Sequence, residues 1–145
     1  MTPAKTEKLW TVEHSILVNS TPAVVWRFFE DTRRWHTWNS GVADIEMRGP
    51  FRTGSQFWMT LPDGVVIKSK LTLVEPVRQF VDETAFAGAV ITVHHRLEAT
   101  ALGQTRVTYQ LDAKGPVGSE VGPVIAADFP DVLRSLARAI EQCAA

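Results

Sequence analysis

Asp31-Thr32-Arg33-Arg34-Trp35-His36-Thr37-Trp38-Asn39 closes an apolar, helix-like run and opens a long series of strand-like segments. Just upstream, Asn19-Ser20-Thr21-Pro22 offers N-cap side chains followed by a proline suited to a first helical turn. Val24, Val25, Trp26, Phe28 and Phe29 then predict a short, strongly apolar helix. The nonapeptide itself predicts a second short helical turn from Asp31 to Trp38. Before both, Leu9 to Val18 alternates: Trp10, Val12, His14, Ile16 and Val18 share one face, while Thr11, Glu13 and Ser15 take the other. Period-two alternation of this kind reads as a half-buried strand, with His14 on its apolar side.

Downstream, six segments fit a period of two better than 3.6: Val42 to Met47, Gln56 to Leu61, Val65 to Glu75, Gln79 to Ala85, Val90 to Thr100 and Gln104 to Ala113. Gly49-Pro50, Gly54, Pro62-Asp63-Gly64, Glu75-Pro76, Gly88 and Gly103 supply turn chemistry between them. Gaps this short favour antiparallel hairpins over crossovers, so a meander is expected. Beyond Gly115-Pro116 the period changes, and Val121, Ile125, Phe129, Val132, Leu136, Ile140 and Cys143 recur every three or four residues. A long helix with one apolar stripe follows. Pro130 inside it lacks a backbone donor, so either the helix kinks there or two shorter helices meet.

The chain has 145 residues, 45% of them hydrophobic. A single domain of that size buries about 70% of the surface its unfolded chain exposes. Residues 1–8 are expected to form a flexible tail and residues 9–145 one domain. With 15 basic and 16 acidic residues and no like-charged run longer than a pair, no electrostatic footprint for nucleic acid is present. No apolar segment reaches the roughly 18 residues of a membrane span, and no secretory h-region follows Lys5 and Lys8. Stable membrane insertion is therefore not expected. Cys143 alone forms neither an internal disulfide nor a cysteine-built metal site, which fits a reducing, cytoplasmic compartment.

The order strand, two short helices, six strands and long helix, with Val25-Trp26 on the first helix and Trp35-His36-Thr37-Trp38 on the second, resembles the START-like helix-grip (SRPBCC) superfamily. Within it, the chain is most similar to the polyketide cyclase/dehydrase and lipid-transport branch. Gly54, Val74-Glu75-Pro76, His95-Arg96-Leu97 and Gly103-Gln104-Thr105-Arg106-Val107-Thr108 carry the likeness further, over about residues 9 to 142. The resemblance implies an α+β fold in which a curved antiparallel sheet of about seven strands wraps around the C-terminal helix. It also implies a cavity between sheet and helix for a hydrophobic small molecule. No single motif of this superfamily marks a reaction.

Strand phase nominates the lining. The apolar phases hold Phe57, Met59 and Leu61; Ile67, Ser69, Leu71 and Leu73; Ile91, Val93, His95 and Leu97; and Val107, Tyr109, Leu111 and Ala113. Lys68, Lys70, Thr92, His94, Arg96, Glu98, Arg106, Thr108, Gln110 and Asp112 fall on the solvent phase. Ile125, Phe129 and Leu133 face the sheet from the helix, and Trp38 either packs the second helix or forms the cavity mouth. The polar exceptions on the inner phase are His14, Ser69, His95 and Tyr109. A histidine on such a face serves either as a core residue bonded to a carbonyl or as a proton-transfer group, and the resemblance aligns a histidine at His95 in many relatives. Tyr109 likewise either fills core volume or touches ligand.

Other chemistries lack their signatures. His94 and His95 point to opposite faces of one strand and cannot share a metal, no other His or Cys spacing proposes a metal site, and no glycine-rich loop cradles a nucleotide cofactor. Three functions stay open: binding of a lipid-like or aromatic molecule; aromatase/cyclase-type catalysis with proton transfer by His95, Tyr109 or His14; and a protein-interaction module with a collapsed cavity. Ligand identity and oligomeric state are not encoded in these patterns.

Overall fold

A computed structural model describes residues 9–144; the expected tail, Met1 to Lys8, and Ala145 lie outside the described residues. Seven strands follow the predicted order: β1 (Leu9–Val18), β2 (Asp44–Arg48), β3 (Gln56–Thr60), β4 (Val66–Glu75), β5 (Gln79–Phe86), β6 (Ala89–Ala99) and β7 (Thr105–Lys114). They form one antiparallel sheet in the order β1-β7-β6-β5-β4-β3-β2, so the meander runs from β2 to β7 and β1 pairs beside its end. Helices α1 (Pro22–Glu30) and α2 (Trp35–Trp38), with a 3₁₀ turn at Thr32–Arg34 between them, sit between β1 and β2. Helices α3 (Gly118–Ala126) and α4 (Phe129–Ala144) end the chain.

Local chemistry explains the boundaries. The Thr21 side chain accepts from the Val24 N–H and Pro22 opens α1, satisfying the orphan donors of its first turn. In the β3–β4 turn, the Asp63 carboxylate accepts from Val65 N–H at 3.0 Å while Gly64 takes a φ of +90°. The C-terminal helical region breaks at Ala127 and Asp128, so two helices meet rather than one bending. Pro130 falls in the first turn of α4, where its missing N–H leaves no bond unmade. Pro123 lies inside α3.

Three expectations on side-chain placement are corrected. Pairing passes from Leu71↔Asp82 to Leu73↔Val81, leaving Thr72 as a bulge. Leu73 therefore shares the outer face with Val81, and Val74, opposite Phe80, takes the inner one. Cys143 is exposed, as are Glu141 and Gln142, although its spacing placed it on the apolar stripe. Thr108, on the outer phase, is buried between its register neighbours Ser15 and Arg96.

The core lies between the concave sheet face and the helices. Phe129, Val132, Leu133, Leu136, Ala137 and Ile140 make the buried stripe of α4. α3 approaches β1 and β7 through Gly118 and Gly122, where added Cβ atoms would overlap the Ala113 carbonyl and the Trp10 ring. At the α1 end an aromatic cluster fills the cup: Phe29 packs on Phe80, His95 and Tyr109, and Phe51 on Trp26 and Phe80. Toward α3 the cup is not filled. No helix among the described residues is long and apolar enough to cross a membrane.

Candidate functional site

The unfilled end is a cavity of about 630 Å³ bounded by the concave face of β3 to β7, by α2, and by the α3–α4 junction. Its wall is largely aromatic and aliphatic, with Trp35, Trp38, Phe57, Met59, Phe80, Phe86, Ile91, Val93, Ile125, Phe129 and Val132 among the contributors. Its mouth runs past Asn39, Gly41, Pro62, Asp63 and Asp128. There the chain is tight: Asn39 Oδ1 accepts from Gly41 N–H at 2.9 Å, and a Cβ at Gly41 would stand 3.0 Å from Asp128 Oδ2. A cavity of this size, mostly apolar with a few converging polar groups, has the build of a small-molecule site. The space also departs from a cup closed by tightly packed aromatics.

Of the residues nominated from the sequence, Trp38, Phe57, Met59, Leu61, Ile67, Ser69, Ile91, Val93, His95, Tyr109, Ile125 and Phe129 line it. Leu73, Leu97, Val107 and Ala113 do not, and neither do Leu71, Leu111, Leu133 and His14. Leu71 and Leu111 are fully buried in the same cross-strand row as Asp82 and Val93, beneath the cavity floor. On α4, Val132 lines the cavity and Leu133 points into the core. His14 pairs with Tyr109 across β1 and β7 and is half-buried on the edge strand that packs under α4, away from the cavity.

The polar groups differ sharply in what they can do. His95 stacks on the Phe80 ring at 3.8 Å between centroids, and its Nδ1 lies 3.2 Å from the Phe80 carbonyl oxygen. A carbonyl only accepts, so Nδ1 carries the proton and Nε2 keeps its lone pair. Burial pulls the His95 pKa down to about 3, and the ring is neutral at any physiological pH. It can accept a hydrogen bond but is a poor base. Ser69 Oγ lies 2.6 Å from Thr84 Oγ1, so these hydroxyls partner one another on the wall.

Tyr109 is 4% exposed and packs edge-on against His95 and Phe129. Among the described residues no group hydrogen-bonds its hydroxyl. Burial first, then the nearby Asp82 and Asp128 charges, push its pKa up, which keeps the phenol protonated as a donor. The Trp38 indole N–H, buried in the wall, is also without an acceptor, whereas Trp35 Nε1 donates to the Phe29 carbonyl at 2.8 Å.

Strand phase left Asp82 out. On β5 the inner phase is Phe80, Asp82, Thr84 and Phe86, all on the cavity wall. The Asp82 carboxyl faces Leu71 and Val93 across the ladders and has no hydrogen-bond partner among the described residues. Burial raises its pKa from 3.8 to about 7. Asp128, at the break between α3 and α4, is also raised, by burial and by the charge of Asp131 against the opposing effect of its own backbone N–H. The signal for Asp82 was the alternation of Phe80 and Phe86 around it. On the outer face the polar groups are paired instead: His94 Nε2 lies 3.1 Å from Asp112 Oδ2, which confirms that His94 and His95 point to opposite sides.

With this geometry in place, residues 10–141 match the family described as polyketide cyclase / dehydrase and lipid transport. The chain belongs to that family. Its fold is that of the helix-grip proteins, here a curved seven-stranded antiparallel sheet with a long C-terminal helix. Among solved structures, the Zhui aromatase/cyclase from Streptomyces sp. R1128 superposes with a TM-score of 0.80 at 12% identity, over 95% of this chain and 97% of that one. Norcoclaurine synthase from Thalictrum flavum, in complex with dopamine and hydroxybenzaldehyde, gives 0.77 at 13% identity over 94% and 89%. DynU16, from the dynemicin biosynthetic locus, gives 0.72 at 26% identity over 90% of this chain and 47% of that one. At the first two identities the likeness is one of fold alone. No curated protein matches the chain in sequence.

Proposed function

We propose that this protein binds an apolar, aromatic-rich small molecule in the cavity between the sheet and helices α3 and α4. The observation that carries the reading is the cavity of about 630 Å³, walled by aromatic and aliphatic side chains and edged by unpartnered polar groups. Family membership supports it. The experiment is native mass spectrometry of gently purified protein, followed by organic extraction. A stoichiometric adduct is expected. Protein that carries none and takes up no member of a panel of flavonoids, aromatic polyketides and fatty acids would overturn the reading.

One observation favours a second reading, catalysis of a cyclisation or dehydration. Asp82, not His95, has the protonation balance of a general base near neutrality, and Tyr109 is a donor lining the same cavity. On that reading a carbonyl oxygen takes the Tyr109 proton as a hydrogen bond while Asp82 removes a proton from the adjacent carbon. Asp82→Asn should then cut conversion of an extracted ligand's precursor by about 100-fold or more with little change in its affinity.

A further inference from the structure

We infer that the cavity selects an apolar amine in its protonated form, held by Asp82 against an aromatic wall. The inference rests on the cavity reading above and adds to it the charge of the ligand.

Three observations converge on it. Every ionic side chain lining the cavity is acidic: Asp63 at the β3–β4 turn, Asp82 on β5 and Asp128 at the α3–α4 junction. No lysine or arginine among the described residues lines it. A ligand carboxylate would thus enter an apolar space with no cation to meet it and three carboxyls to repel it, and a fatty acid is a poor fit. Second, Asp82 has no hydrogen-bond partner among the described residues, and a carboxyl turned into an aromatic cavity is costly unless a cation or donor arrives with the ligand. Third, and independently of the acids, Tyr109 is 4% exposed and offers a hydroxyl that no described residue engages by a hydrogen bond. Its oxygen gives an ammonium group a second acceptor. Trp38, Phe57 and Phe86 add aromatic rings to the same wall, and a ring face turned to a cation attracts it further.

Binding then carries a proton signature. In the empty protein the Asp82 carboxyl holds a proton below about pH 7, and an ammonium ion must displace it. Of the other titratable groups lining the space, His95 stays neutral, Tyr109 stays protonated, Asp63 lies on the exposed β3–β4 turn, and Asp128 is raised in the same direction as Asp82, so the Asp82→Asn variant separates its share. Affinity for an amine should climb about tenfold per pH unit below neutrality and level above it, as one proton leaves on binding.

The test uses three matched probes, naphthylethylamine, naphthylethanol and naphthylpropanoic acid, titrated against the tryptophan fluorescence of the full chain at pH 6 and pH 8. The amine is expected to bind at least 10-fold tighter than the alcohol at pH 8, with the acid weakest, and its lead should shrink at pH 6. In Asp82→Asn the ratio of amine to alcohol should collapse toward one. An alcohol that binds as well as the amine at both pH values, or an acid that binds best, overturns the charge selection and leaves the cavity reading standing. Absence of binding by all three removes both.

Discussion

Asp82→Asn should stabilise this protein, and by an amount that depends on pH. The carboxyl ionises near 3.8 in the unfolded chain and near 7 in the folded one, because burial in the cavity wall penalises its charged form. Below pH 3.8 both states are protonated and the residue costs nothing. Between the two values the folded state holds a proton that the unfolded state has lost, so stability falls as pH rises, and above about 7 the whole penalty is present. The gap of about three pH units, at 1.36 kcal/mol each, sets a ceiling of about 4 kcal/mol. Water entering through the mouth solvates part of the carboxylate, so about 2 to 4 kcal/mol is expected at pH 8 and under about 1 kcal/mol at pH 4. Asparagine matches the shape and cannot ionise. Urea unfolding of both proteins at the two pH values reads the difference directly. Equal effects at pH 4 and pH 8, or destabilisation at pH 8, would refute the burial argument. The expected outcome means that the protein forgoes stability to keep a carboxylate in its cavity, the usual mark of a site.

His95 should not titrate between pH 5 and pH 8, since its pKa lies near 3; ring resonances followed by NMR check this, and a midpoint near 6.5 would contradict the neutral, carbonyl-bonded ring. Gly122→Ala should cost about 1 to 3 kcal/mol in urea unfolding, because the new methyl overlaps the Trp10 ring where α3 meets the sheet. An unchanged midpoint would mean that α3 sits further out. Ala87 holds a φ of +52° beside Gly88 in the β5–β6 turn, a pair of left-handed residues that suits Asn-Gly. Ala87→Asn should gain about 0.5 to 1 kcal/mol, and a loss would show that another contact governs this turn.

The architecture was legible because period-two and period-3.6 patterning in this chain are rarely in conflict, and because Pro62-Asp63-Gly64 and the other turns leave room only for hairpins. What escaped has local causes. The bulge at Thr72 inserts one residue, and everything beyond it on β4 changes face, so Leu73 and Val74 exchange roles without a compositional trace. The helix break precedes Pro130 because proline is accepted in a first turn, and the proline therefore marked the start of α4 rather than a bend within it. Asp82 is the most instructive. On β5, Val81 and Ala85 share one phase with Gln79 and Glu83, while Phe80 and Phe86 share the other with Asp82 and Thr84, so neither phase reads as plainly apolar. Polar residues on an inner phase break the binary pattern, and such breaks survive where a site needs them. Of the inner-face polar groups, Ser69 is answered by Thr84 and His95 by the Phe80 carbonyl, and His14 lies off the cavity altogether. Of the inner-face polar groups that line the cavity, Asp82 and Tyr109 have no hydrogen-bond answer among the described residues, and the cavity they share is where the missing partner fits.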